Sequence, residues 1–512
     1  MGQTTQRVAG SVIALVALFA ALVTPNGPWG PAVAEASTGA YLVTAGSAEA
    51  AAGAVHDVGG TVTTELELVG GVAATLDAPA ATTLARLQDV TVVADQELAF
   101  QSVTTAESEA DLDLRDQLAG LHPGALWDLE EGAGVGVALI DTGVAPTADL
   151  DDRLIHGPDY TDEDDGLDRY GHGTFMAGLI AGDGTSPGSD GPTGIAPAAH
   201  VVSVKVAGAD GRTSLSTLLE AIGWVVTNQD EYGIRVLNLS IGARMDAAPQ
   251  ADPLARAVEA AWASGITVVT ASGNLGDGEV TSPGHSPWAI TAGAVDTTTG
   301  ITAGEVALAD WSGAARVTSL YKPDLLAPGA SVVSLRAPDS TIDVDHPEAR
   351  VGDQYFRGSG TSMSTALVSG AVASLLDDRA WATPDDVKGA LTSTGRPVAD
   401  SQAVLVDLEA ADASRPDDDW QQRHPVTVAP SRAVQLAQRD APGPEVTWQR
   451  VRWMDDQWQR VRWMDANFAR VRWMDANFAR VRWMDGDWAR VRWMSERWTG
   501  TDTWTASDWD AA

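Results

Sequence analysis

Residues 136–144, GVALIDTGV, decide the fold. Gly136 to Ile140 is an unbroken apolar run that halts at Asp141, Thr142 and Gly143. A strand apolar on both faces must be covered on both faces, which is the habit of parallel strands in α/β proteins. Open α/β sheets place their sites at the carboxyl ends of such strands, so Asp141 stands where chemistry is done. Two later segments match it: YGHGTFMAG, residues 170–178, around His172, and GSGTSMSTALVSG, residues 358–370, around Ser362. His172 and Ser362 each head a helix-compatible run, TFMAGLIAG and SMSTALVSGAVASLL. A helix amino terminus offers free N–H groups and partial positive charge. The expected architecture is α/β, a mostly parallel sheet with helices on both faces.

Together the three segments supply a carboxylate, an imidazole and a hydroxyl. A serine hydroxyl stays protonated at neutral pH and is a poor nucleophile until an imidazole takes its proton and a carboxylate orients and stabilises that imidazole. Each segment alone has an ordinary reading: Asp-Thr-Gly as a turn, Gly-His-Gly-Thr as a loop before a helix, Gly-Thr-Ser as a helix cap. Their joint occurrence is what carries weight. Of the other histidines, His200 precedes a Val-rich strand and His285 lies in a Pro/Gly turn, so both read as structural or exposed. The Gly132–Gly136 run GAGVG imitates a dinucleotide fingerprint but precedes its strand, where that motif must follow one.

The order Asp, His, Ser, with these flanks, resembles the subtilisin-like serine proteases (subtilases, peptidase family S8), nearest to their AprX-like branch, over roughly Leu121 to Ala411. The resemblance implies a subtilisin-like fold and a serine endopeptidase working through an acyl-enzyme, with Asp141, His172 and Ser362 as the triad. Asn274 in VVTASGN then corresponds to the side-chain donor of the oxyanion hole. Ser240, Ile241 and Gly242, closing VLNLSIG, correspond to the edge along which an extended polypeptide substrate adds by backbone hydrogen bonds. Ala271, Ser272 and Gly273 correspond to a small-residue wall of the primary pocket, with room for a sizeable apolar side chain. The chain departs from the family at Phe175, where a second histidine is usual, and at Ala366 and Leu367, where Pro-His is usual.

Composition sets the organisation around that domain. Met1 to Ala34 reads as a signal peptide: Arg7, the apolar core Val8–Val23, and Ala32-Val33-Ala34 as the cleavage site. An uncleaved anchor is the competing reading. Residues 35–110 alternate strand and helix as βαββαβ, the order of a small ferredoxin-like unit. Its position corresponds to the family's inhibitor and chaperone propeptide, with self-cleavage expected between Phe100 and Asp113. The peptidase domain is expected over 111–413, a Pro/Asp/Gln-rich linker over 414–445 and a repeat tail over 446–512. A secreted, extracellular protein follows, made as a zymogen.

The chain has no cysteine, which excludes disulfides and thiolate metal sites. Its net charge is −37, and because residues 446–512 hold 11 Arg against 10 Asp plus Glu, the rest carries about −38. So acidic a body excludes nucleic acid as a partner, since such binding neutralises phosphates. No cofactor is required by the chemistry. The acidic loop DYTDEDDGLDR, residues 159–169, offers the donor type a structural calcium takes, against the plainer reading of a solvated charge run. Asp168, four residues before His172, is placed to shape the approach to the site.

From Trp448 the chain repeats every ten residues: WQRVRWMDDQ, WQRVRWMDAN, FARVRWMDAN, FARVRWMDGD, WARVRWMSER. An even period keeps each repeat on the same strand faces, with Val451 and Trp453 on one side and Arg450, Arg452 and Met454 on the other, so a stack of short strands is expected. A Trp-rich surface of this kind suits cell-envelope glycopolymer or self-association, against a disordered spacer or contact with a membrane surface. The alternative for the whole chain is therefore a catalytically weak or inert protease-fold protein whose tail does the binding.

Overall fold

The computed structural model describes residues 38–100, 131–185, 193–244, 252–276, 278–297, 306–317, 320–399 and 401–414, and the backbone of five short strands between 451 and 493. The signal reading, the linker reading and most of the expected cleavage region lie outside the described residues, as do the tail side chains.

The N-terminal unit runs β1 (Thr38–Thr44), α1 (Ala48–Asp57), β2 (Thr61–Leu66), β3 (Gly71–Asp77), α2 (Ala78–Leu84) and β4 (Thr91–Ala94). Its strands form an antiparallel sheet in the order β2-β3-β1-β4. Both helices start on side-chain caps, Ser47 accepting from Ala50 N–H and Asp77 from Ala80 N–H, each worth about 1 kcal/mol. A further strand, β5 (Glu97–Ala99), leaves this sheet.

The main body is built on β6 (Gly136–Asp141), β7 (Leu154–Asp159), β8 (His200–Lys205), β9 (Arg212–Ser214), β10 (Ile234–Leu239), β11 (Thr267–Ala271) and β12 (Ile290–Asp296). The sheet order is Arg396–Pro397, Val404–Leu405, Leu325–Pro328, β12, β11, β10, β6, β8, β7. Every neighbour from Val404–Leu405 to β7 is parallel. All six residues of β6 are buried, as its uninterrupted apolar run requires.

One face carries α3 (His172–Ala181) and α7 (Thr361–Asp378), which pack on each other; α7 also lies across β10, β11 and β12. All ten residues of α3 are buried, as are Thr361 to Leu376 of α7. The opposite face carries α4 (Leu215–Asn228) and α5 (Pro253–Ala263). Along α4 the buried positions Leu215, Leu218, Leu219, Ile222 and Val225 trace one apolar stripe. Between α5 and α7 a short helix, α6 (Thr341–Asp345), packs behind the start of α3: Thr341 N–H and Ile342 N–H donate to the Arg169 and Tyr170 carbonyls at 2.9 Å.

The N-terminal unit docks on α4 and α5, and Leu42, Leu66, Val69 and Ala73 join the main core. Asp95 accepts from Ser216 N–H at 2.9 Å and Ser216 Oγ at 2.6 Å, tying the end of this unit to the start of α4. The chain then continues as β5, which pairs antiparallel with β9.

In the tail, Val451–Trp453, Val471–Trp473 and Val491–Trp493 pair in parallel with like residues opposite one another, as do Val461–Arg462 and Val481–Arg482. Strand partners are therefore twenty residues apart, two repeats rather than one.

Candidate active site

Strand β6 ends on Asp141 and helix α3 begins on His172. The imidazole Nδ1 lies 2.8 Å from Asp141 Oδ1 and 3.0 Å from Oδ2. Both groups are nearly sealed from solvent, Asp141 1% and His172 2% exposed. This close approach needs Gly173, because a Cβ there would fall 2.0 Å from the Gly143 carbonyl oxygen and 3.2 Å from Asp141 Oδ1. Gly171, with φ of 110°, supplies the left-handed turn into the helix.

The Asp141 carboxylate and its partners leave Nδ1 as the protonated nitrogen and Nε2 as the basic one. His172 Nε2 is buried and has no hydrogen-bond partner. Burial opposes the imidazolium, but the charge and hydrogen bond of Asp141, with the charge of Asp168, outweigh it and raise the His172 pKa above its usual value.

Ser362 is the second residue of α7 and is buried. Its hydroxyl donates to the Ser240 carbonyl at 3.2 Å rather than to His172. The Ser240 hydroxyl approaches the Ser362 carbonyl at 3.4 Å. The structure thus brings Asp141 and His172 into contact and sets Ser362 on the helix that packs against α3, with its hydroxyl held by the segment after β10.

Asn274 stands beside the start of α7. Its Oδ1 accepts from Thr361 N–H and Thr361 Oγ1, both at 3.0 Å. A backbone N–H can only donate, so this fixes the amide orientation and turns Nδ2 away as a free donor.

Ser240, Ile241 and Gly242 continue from β10, and Ala243 forms an antiparallel bridge with Ser282. Ala271 ends β11, and the next two residues are held by Ser272 N–H to Ala292 O at 2.9 Å and Gly313 N–H to Gly273 O at 2.7 Å. Between these two walls stands Thr281, which sequence reasoning leaves unassigned. A Cβ on Gly242 would meet Thr281 Oγ1 at 2.2 Å, and one on Gly273 would meet it at 2.9 Å. The hydroxyls of Ser272 and Thr281 are buried without partners. Thr281 therefore stands against both segments that the sequence assigns to substrate contact, Ser240–Gly242 and Ala271–Gly273.

A second residue missed in the sequence is Phe100. Its ring lies 5.2 Å from the His172 ring, centroid to centroid. Its N–H donates to Gly211 O at 2.9 Å and its carbonyl accepts from Tyr170 Oη at 3.1 Å. Nothing in its local sequence signals this; the contact is made by the docking of the whole N-terminal unit.

The acidic loop closes inward on Lys205, the residue opposite Asp141 in the β6–β8 ladder. Its ammonium lies 2.5 Å from Glu163 Oε2, 2.7 Å from the Leu167 carbonyl, 3.5 Å from Asp165 and 3.6 Å from Asp159. Asp159 also caps the turn through the Thr161, Asp165 and Gly166 N–H groups; burial pushes its pKa up, but hydrogen bonds from the Thr161 hydroxyl and from the Thr161 and Gly166 N–H groups, with the charge of Lys205, outweigh it and hold the pKa below the usual carboxylate value. An ammonium thus stands among three of the carboxylates that the calcium reading would use.

The subtilase family model matches residues 132–417. Serine protease AprX of Bacillus subtilis (strain 168) is 40% identical over 269 residues, covering 50% of this chain and 60% of AprX. Subtilisin BL of Lederbergia lenta is 33% identical over 246 residues, covering 47% of this chain and 76% of the relative. In three dimensions, fervidolysin of Fervidobacterium pennivorans, a keratinolytic enzyme related to subtilisin, superposes with a TM-score of 0.58 at 21% identity, over 75% of this chain and 62% of its own. That last likeness speaks for the fold alone. With the family match spanning more than half its length, this chain belongs to the subtilases.

Proposed function

We propose that this chain is a serine-type endopeptidase, made as a self-processing zymogen, with Asp141, His172 and Ser362 as its triad. The observation that carries the reading is the buried Asp141–His172 pair, 2.8 Å apart, with Nε2 left free. Rotation of the Ser362 hydroxyl away from the Ser240 carbonyl gives its proton to Nε2, and the oxygen attacks the scissile carbonyl. Negative charge then develops on the carbonyl oxygen, and Asn274 Nδ2 with the Ser362 N–H stabilises it. The imidazolium returns its proton to the departing amine, and a water repeats the sequence to release the acyl group.

The N-terminal unit is the propeptide in this reading. Its last strand lies along β9 and its Phe100 covers His172, so the chain's own segment takes the place of a polypeptide substrate until it is cut between Phe100 and Asp113. The leader over Met1–Ala34 supports an extracellular location, and the Trp/Arg repeats support attachment to envelope glycopolymer or to other copies.

A serine-directed phosphonate tests the catalytic reading. It should label Ser362 in the processed molecule, and labelling should vanish in His172→Ala. A processed, folded protein that takes no label would overturn it and favour an inert protease fold with a binding tail.

A further inference from the structure

Asp168 has no part in the reaction just described, yet few carboxylates in the described structure are so completely engaged. It is 6% exposed and accepts five hydrogen bonds. Oδ1 takes the Gly171 N–H at 2.6 Å, the Thr142 hydroxyl at 2.8 Å and the Tyr170 N–H at 3.2 Å. Oδ2 takes the Thr174 hydroxyl at 2.7 Å and the Thr174 N–H at 2.8 Å.

The two hydroxyls give this arrangement its meaning. A threonine hydroxyl has one proton to donate, and here each proton goes to Asp168. Each oxygen is therefore turned to accept from elsewhere. Thr142 Oγ1 accepts the Gly173 N–H at 2.9 Å, and Thr174 Oγ1 accepts the Ala145 N–H at 2.9 Å. Thr142 follows Asp141 and Gly173 follows His172; Thr174 lies on α3 and Ala145 on the segment leaving β6. The two segments bearing Asp141 and His172 are thus stitched together twice, in opposite directions, and both stitches are oriented by one carboxylate. Thr142 Oγ1 is also 3.3 Å from Asp141 Oδ1, so a hydroxyl released by Asp168 would turn onto Asp141 and compete for the oxygen that Nδ1 uses.

We propose that Asp168 is a positioning residue of the active site, holding Asp141 and His172 in register through Thr142 and Thr174. This rests on the protease reading above. A plain helix cap would account for the Thr174 N–H bond alone, and not for the two hydroxyls shared with the β6 segment. The ionisable groups that act on His172 are Asp141 from β6 and Asp168 from the loop; Tyr170, beside His172 in sequence, is itself acted on by Asp141, Asp168, Asp210 and Asp345. Among these, the Asp168 charge adds to that of Asp141 in favouring the imidazolium.

The test is Asp168→Asn in the processed full chain, with kcat and KM for a peptide anilide per titrated active site and the His172 titration followed by NMR. The expected result is a kcat lower by on the order of tenfold or more, KM within about twofold, and a lowered His172 pKa, because a stabilising negative charge is lost. A cap alone would lower Tm and leave kcat and the His172 titration unchanged, and that outcome would overturn the proposal. If Asp168→Asn fails to fold, Thr142→Val against Thr142→Ser decides. The valine should lose kcat and the serine should restore it to within about threefold; a valine variant with wild-type kcat and wild-type His172 titration refutes the role. A wild-type chain without activity would defeat the protease reading, while the His172 titration in the two forms would still judge Asp168.

Discussion

The Phe100 ring is tilted 48° over the His172 ring with centroids 5.2 Å apart, so the end of the N-terminal unit covers the imidazole of the candidate site. Phe100 is itself 2% exposed, and burial of such a ring contributes about 1.5–3 kcal/mol. Phe100→Ala should therefore weaken the hold of the cleaved N-terminal unit on the body by roughly 10- to 100-fold. The measurement is the lag between cleavage and the appearance of full activity, which should shorten in the variant. An unchanged lag would show that docking on α4 and α5 does all the holding.

In the proposed mechanism Asn274 performs two tasks with its two ends, and substitutions can separate them. Asn274→Asp keeps an acceptor for Thr361 and loses the Nδ2 donor; Asn274→Ala loses both. Turnover should fall in both variants by on the order of a hundred- to a thousandfold, the cost of losing such a donor in a subtilisin. Thermal stability should drop more in the alanine variant, by about 1 kcal/mol, the worth of a cap at the start of α7. Wild-type turnover in either variant would remove Nδ2 from the oxyanion hole.

Thr281 stands between Gly242 and Gly273, and it should set the size of side chain accepted there. Thr281→Gly removes three heavy atoms and should raise kcat/KM for peptides with a large aromatic residue before the scissile bond, relative to small ones, by about tenfold or more. Competition between two such peptides in one reaction reads the ratio directly. An unaltered ratio would place the pocket elsewhere.

Asp343 in α6 is clamped by Arg336 and Arg350, with Nε to Oδ1 distances of 2.5 and 2.8 Å. Hydrogen bonds from Arg336 and then Arg350, against the opposing effect of burial, lower its pKa from 3.8 to about 2. A carboxylate whose folded pKa is depressed stabilises the fold above its unfolded pKa, and that stabilisation is lost as pH falls through the folded value. Asp343→Asn should therefore destabilise the protein at neutral pH, with the gap to the parent closing between about pH 4 and pH 2. Urea unfolding of Ser362→Ala and Ser362→Ala/Asp343→Asn across that range measures it. A gap independent of pH would mean that the asparagine merely packs badly.

The sequence makes some of this plain and hides the rest for identifiable reasons. The parallel sheet is legible because β6 is apolar at every position from Gly136 to Ile140, which only a strand covered on both faces tolerates. The placement of Asp141 at a strand end and His172 and Ser362 at helix heads is legible because the motif glycines mark the turns. Thr281 is invisible in the sequence because a threonine before Ser-Pro-Gly carries no sign of the two distant glycines it faces. The roles of Thr142 and Thr174 need the direction of a single hydroxyl proton, which no spacing encodes. The acidic loop has the residues of a cation site, and what the sequence does not reveal is that Lys205, on a strand some forty residues later, already sits within it.

That internal ammonium has a practical consequence. A loop that takes a partner for three of its carboxylates from the protein itself should keep its shape, and that of the helix start it leads into, when chelators strip divalent ions from the medium. Its vulnerability lies instead in amine chemistry: Lys205 is 1% exposed, so acylating reagents reach it only when the loop has already opened.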